Sequence, residues 1–145
     1  MYQQILLCYD GTNEGRRALR RGAEVAIAMK SHTYLLAICR NMIGTSIPEG
    51  VTQELARCES EAAAALLAEG VQWLKDNGVC GEGSLVYGDP LVNIPLTADR
   101  IHADLVVVGY RGLSRRARWW SESDEVTLLS KLPCSMLIAE ATSAQ

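Results

Sequence analysis

The chain has 145 residues, 48% of them hydrophobic and 21% charged, which fits one globular domain with a single core. Its net charge of −3 and pI near 5.4 argue against nucleic acid or an anionic membrane surface as a partner. No apolar run reaches the roughly 18 residues of a membrane span, and five cysteines without a C-x-x-C pair argue against a disulfide framework or a zinc site.

The opening segment, Met1 to Asp10, lacks a basic region, a long apolar stretch and a small-residue cleavage pattern. It reads as a first strand over Gln4–Tyr9 rather than a signal peptide, which places the chain in the cytoplasm. Asp10-Gly11-Thr12-Asn13 is a turn and helix-cap cluster. Glu14–Met29 reads as a helix with Leu19, Ala23, Ala26 and Ile27 near one face. Arg16, Arg17, Arg20 and Arg21 group on the other as a solvated basic face, with Glu24 placed to pair with Arg20. Thr33–Cys39 is a second strand, and Arg40–Gly50, with Gly44, Pro48 and Gly50, is a loop. Val51–Asn77 is a long helix stopped by Gly78, with Trp73 assigned to the core.

Ser84–Tyr87 is a third strand. Gly88-Asp89-Pro90 then opens a helix with Asp89 as cap and Pro90 at its first position; Pro95 predicts that this helix is short at its start or kinked. Leu105–Val108 is four apolar residues in succession, the pattern of a strand buried on both faces. A Gly- and Arg-rich loop, Gly109–Ser121, leads to a short helix over Glu122–Leu132, which Pro133 ends. Ser135–Ala139 is a fifth strand. Five alternations of strand and helix imply an α/β fold, a mostly parallel sheet covered by helices on both faces.

Such sheets bind ligands outside the carboxyl ends of their strands, where the strand order reverses. Two strand ends carry suitable residues: Asp10-Gly11-Thr12 after the first, and Gly109-Tyr110-Arg111-Gly112 after the fourth. Each is also ordinary turn chemistry. Asp10 reads equally as a turn former or a metal ligand. His32 and His102 lack metal-ligand spacing and read as loop histidines. Cys8, Cys39 and Cys134 lie in or beside apolar runs and read as small buried hydrophobes in a reducing compartment. No G-x-S-x-G elbow, Walker loop or complete G-x-G-x-x-G is present, and no catalytic residue is assigned.

Four segments in register resemble the universal stress protein family. They are the Asp10-Gly11-Thr12 turn, the Gly88-Asp89-Pro90 turn, Ala103-Asp104-Leu105-Val106-Val107-Val108-Gly109, and Pro133-Cys134-Ser135-Met136-Leu137-Ile138. The resemblance covers essentially the whole chain. It implies a doubly wound, open five-stranded parallel sheet in order 3-2-1-4-5, with Asp10 and Gly109 flanking one crevice. Family members that bind ATP carry G-x2-G-x9-G-[ST]. The resemblance places the first glycine at Gly109, the second at Gly112 and the final hydroxyl at Ser123, but the third glycine is Glu122 here. It further implies that Asp10 holds the ribose or a phosphate-bound metal and that Ile38 and Val108 line the adenine pocket.

Glu122 places a carboxylate where a helix N-terminus would meet phosphate, and Asp124 and Glu125 follow it. Ser121 and Asp124 have capping-box spacing. At about 4 Å from a phosphate charge, one carboxylate costs roughly 4 kcal/mol at an effective dielectric of 20. Arg111, Arg115, Arg116 and Arg118 oppose this: they have as partners a phosphate, the neighbouring acids, or solvent alone. The expectation is weak or lost ATP binding, with AMP or adenosine retained more readily. The residues themselves assign no cofactor; the resemblance admits ATP or AMP, with Mg2+ or Mn2+. Trp119-Trp120 beside these arginines could stack single-stranded nucleic acid, but reads more simply as packing onto the domain or a protein partner. The family resemblance and the apolar final strand predict a homodimer through that edge.

Overall fold

The computed structural model describes residues 1–39, 53–110 and 122–140. Five strands form one sheet: β1 (Gln4–Tyr9), β2 (His32–Cys39), β3 (Gly81–Tyr87), β4 (Leu105–Tyr110) and β5 (Ser135–Glu140). Every neighbouring pair is parallel, and the order is β3-β2-β1-β4-β5, as the resemblance implied. Between the strands run α1 (Asn13–Met29), α2 (Gln53–Asp76), α3 (Pro90–Ile101) and α4 (Glu122–Lys131).

The two-residue alternation of the central strand sorts the core into two layers. Ile5, Leu7 and Tyr9 project to one face, with Leu19 and Ala23 of α1 and Leu74 of α2. Leu6 and Cys8 project to the other, with Ile94 and Ala98 of α3 and Leu128 of α4. The helices therefore cover both faces. Val106, Val107 and Val108 have no exposed surface, which accounts for the unbroken apolar run of β4.

Local signals set most element ends. Thr12 is the N-cap of α1, its hydroxyl accepting from Gly15 N–H at 3.1 Å, so the helix starts at Asn13, one residue before the expected Glu14. Asp89 caps α3 by accepting from Leu91 N–H at 2.9 Å, and Pro90 opens the helix, as read from the sequence. α3 then continues through Pro95 to Ile101, so the proline does not shorten it. Lys30 and His102 end α1 and α3 in the left-handed conformation, φ 52° and 56°. His102 is thus a helix C-cap, and His32 is the first residue of β2 rather than part of a loop.

Other boundaries depend on strand pairing. β2 begins at His32 because its N–H donates to the Gln3 carbonyl at 2.9 Å. β3 begins at Gly81, three residues before the expected Ser84, because Gly81 pairs with Thr33 and draws a Gly-Glu-Gly stretch of low strand propensity into the ladder. β4 extends past Val108 because Gly109 and Tyr110 pair with Ala139 and Glu140. β5 gains Glu140 by the same pairing. α2 ends at Asp76, one residue before the expected Asn77, with Gly78 beyond it at φ 82°. α4 ends at Lys131 rather than Leu132. The expected loop over Arg40–Gly50, and residues 51–52 at the expected start of α2, lie outside the described residues.

At the amino edge, Asp104 fastens β4 to β1. Its carboxylate accepts from Gln3 N–H at 2.8 Å and Gln4 N–H at 3.0 Å, and its own N–H donates to the Gln4 carbonyl at 2.9 Å.

Candidate functional site at the carboxyl ends of β1 and β4

Strand order reverses between β1 and β4, which pair from Ile5–Leu105 to Cys8–Val108. Asp10 follows β1 directly, and Gly109 lies one residue past the last β1–β4 pair. The fold therefore brings both to one crevice end, where doubly wound sheets bind ligands.

Asp10 is half-buried, and its Oδ1 accepts from Thr12 N–H at 3.0 Å and the Thr12 hydroxyl at 2.6 Å. Since Thr12 caps α1, the carboxylate and the helix start form one relay: Asp10 orients Thr12, and Thr12 holds Gly15 N–H. The negative charge also lies at the positive end of α1. A Cβ at residue 15 would collide with Asp10 Oδ1, so glycine there is a condition of this arrangement.

Gly109 performs a packing task. A Cβ on it would lie 2.8 Å from the Gly15 carbonyl oxygen and 3.0 Å from Leu19 Cβ. The missing side chain lets the first turns of α1 settle directly on β4, which fixes the helix N-terminus over the crevice.

The side chains of Ile38 and Val108 have no exposed surface and belong to the core layer beneath α3 and α4. Next to Ile38, Cys39 is half-buried, and burial with the Asp10 charge beside it raises its thiol to about 11. Tyr9 is fully buried, and its hydroxyl has no hydrogen-bond partner among the described residues. Burial, outweighing the Arg16 charge, pushes that phenol far above its ordinary range. Tyr87, at the end of β3, hydrogen-bonds with Ser60 of α2.

Glu122 is the first residue of α4, and Ser123 the second. The backbone thus places both in the first turn of α4. Arg111 and Gly112 lie outside the described residues, as do Arg115, Arg116, Arg118, Trp119, Trp120 and Ser121. Among the described residues, no group of three or more His, Cys, Asp and Glu side chains could hold a metal ion.

Four expectations change. Arg16 is not a solvated residue: its guanidinium donates to the Leu66 carbonyl at 2.8 Å and to Glu69 at 3.1 Å, tying α1 to α2. Arg20 lies over the Trp73 ring, 5.3 Å from its centre, rather than pairing with Glu24, and Trp73 is only partly buried. Cys39, the last residue of β2, and Cys134, just before β5, are half-buried, unlike Cys8 inside β1. Gly15 is the residue that the sequence reading misses; glycine inside a helix costs up to about 1 kcal/mol relative to alanine, and that local penalty is the available signal.

The comparisons agree with this architecture. The universal stress protein family model matches residues 1–140. A universal stress protein of Synechocystis is 27% identical over 139 residues, covering 95% of this chain and 85% of that protein. A universal stress protein crystallised in complex with cAMP superposes with a TM-score of 0.65 at 24% identity, covering 97% of this chain and 98% of that one. A family protein from Arabidopsis thaliana with AMP bound gives a TM-score of 0.65 at 16% identity, covering 98% of this chain and 94% of the other. With the sheet order, the crevice and a sequence match over all but the last five residues, this chain belongs to the universal stress protein family.

Proposed function

We propose that the chain is a non-enzymatic stress-response domain that acts in the cytoplasm as a homodimer and through partner binding, with weak or lost affinity for ATP. The observation that carries this reading is Glu122 as the first residue of α4. A helix start is the natural seat of a phosphate, and a carboxylate-bearing residue in that first turn brings like charge to it. Homodimerisation is supported by β5, an edge strand of the sheet, which exposes Leu137 and Ile138, next in the chain to α4 with exposed Val126 and Leu129. The cytoplasmic reading is supported by Cys8, Cys39, Cys80 and Cys134, all free thiols.

A second reading, an adenine-nucleotide sensor, is favoured by the relatives crystallised with cAMP and AMP. The crevice residues fit a nucleoside: Asp10 can accept from ribose hydroxyls, and Ile38 and Val108, their side chains buried, would meet an adenine through backbone. In this reading a monophosphate binds and a triphosphate is resisted at Glu122.

Calorimetric titration of ATP, AMP and cAMP, with and without Mg2+ or Mn2+, tests both. Weak or absent ATP binding that Glu122→Gly strengthens about tenfold or more, the loss of roughly 1.4 kcal/mol of repulsion, supports the primary reading. Micromolar ATP binding by the unaltered chain overturns it, and a monomer mass in light scattering overturns the homodimer.

A further inference from the structure

The helices α1 and α2 follow parallel strands and run side by side across one face of the sheet. They are joined by two rungs. Arg16 meets Glu69, and one turn further along both helices Arg20 meets Trp73, at the same offset of 53 residues. Beneath these rungs lies a cavity of about 440 Å3. Its floor is Leu7 of β1 and Leu35 of β2, and its walls include Leu19, Ala23 and Leu74.

The cavity exists because small residues face it. Ala23 and Gly70 stand where larger side chains would close the space, and a Cβ on Gly70 would already lie 2.8 Å from Leu35 Cδ2. Its volume lies within the roughly 300–1,000 Å3 of small-molecule sites. The floor is apolar and offers water nothing in exchange for its hydrogen bonds, whereas the rim is charged.

The rim charges are not equivalent. Glu69 is paired with Arg16 at 3.1 Å; Asp76 keeps its negative charge, accepting from the neutral Gln72 amide at 2.9 Å. Arg20 makes no ion pair among the described residues; its guanidinium rests on the Trp73 ring, held by an aromatic face at the cavity mouth. A positive group fixed beside an apolar recess suits one kind of guest.

We propose that this cavity binds a small amphipathic anion, an apolar chain or ring ending in a single carboxylate, its apolar part over Leu7 and Leu35 and its carboxylate at Arg20. The site is separate from the crevice at Asp10 and Gly109 and does not depend on the nucleotide reading.

The test titrates the full chain with decanoate, decanol and decyltrimethylammonium below their micellar concentrations. Calorimetry follows affinity, and amide chemical shifts locate the site. Decanoate is expected to bind one per chain, with shifts at Leu7, Leu35 and the Trp73 indole, and roughly tenfold more tightly than decanol, as one charge-assisted contact provides. Arg20→Glu, at an exposed position, lowers decanoate affinity at least tenfold, to that of decanol or below. Gly70→Ala pushes Leu35 into the space and weakens both. The proposal is overturned by any of four results: no saturable decanoate binding, equal affinity for the cationic analogue, decanoate affinity indifferent to Arg20→Glu, or shifts centred on Asp10 and Gly109 with displacement by AMP.

Discussion

Gly109 and Gly15 meet backbone to backbone: a Cβ on Gly109 would stand 2.8 Å from the Gly15 carbonyl oxygen. This glycine, past the last β1–β4 pair, is therefore the seat of α1 on β4. Gly109→Ala should cost about 1–3 kcal/mol of stability, because a backbone neighbour must move rather than a flexible side-chain end. Urea unfolding without nucleotide measures this. An unchanged midpoint would mean the glycine serves a ligand alone.

Asp104 should matter to stability though it lies at the opposite, amino ends of β1 and β4. It accepts from two backbone N–H groups, Gln3 and Gln4. Asp104→Ala should lose about 1.5–3 kcal/mol, the range for hydrogen bonds to a charged group, and amide exchange at Gln4 should accelerate. Unaltered exchange there would show that the clamp contributes nothing.

Tyr9 carries a buried hydroxyl without a hydrogen-bond partner among the described residues. Removing an unsatisfied polar atom while keeping the ring should help. Tyr9→Phe is expected to raise stability by about 1 kcal/mol, seen as a higher melting temperature. A lower melting temperature would reveal a contact for the oxygen.

Alkaline pH should destabilise the fold through its thiols. Burial raises Cys8 well above its ordinary value of 9.0, with Cys134 adding to the effect, and raises Cys39 to about 11. These groups stay neutral when folded and ionise near 9.0 when unfolded. Their stabilising contribution is thus complete below pH 9 and declines as pH rises through the range from 9 to about 11. Urea midpoints from pH 8 upward should fall over that interval. At pH 8 a thiol reagent should modify exposed Cys80 well before Cys39 or Cys8.

Much of the fold was legible because its determinants are local. The strand–helix alternation, the Asp89-Pro90 helix start and the Gly78 stop each depend on residues within one turn of the element they shape. The same locality explains the misplaced ends. Gly81 became strand, and Gly109 with Tyr110 extended β4, because partners far along the chain supplied hydrogen bonds that local propensity does not register. In the crevice, Asp10 and Gly109 were legible as strand-end residues, but the pairing of Asp10 with Thr12 and of Gly109 with α1 was not.

The sequence by itself determined an α/β chain of five strands, with Asp10 and Gly109 at two strand ends and an acidic residue at the start of α4; the family resemblance supplied the strand order that sets Asp10 and Gly109 at one crevice. Tertiary structure alone decided that Arg16 ties α1 to α2, that Arg20 lies on Trp73, and that a cavity remains beneath them. The physical reason is distance along the chain. Helical periodicity assigns a residue to a face, but which side chain 53 positions away covers that face depends on how two helices settle on a common sheet.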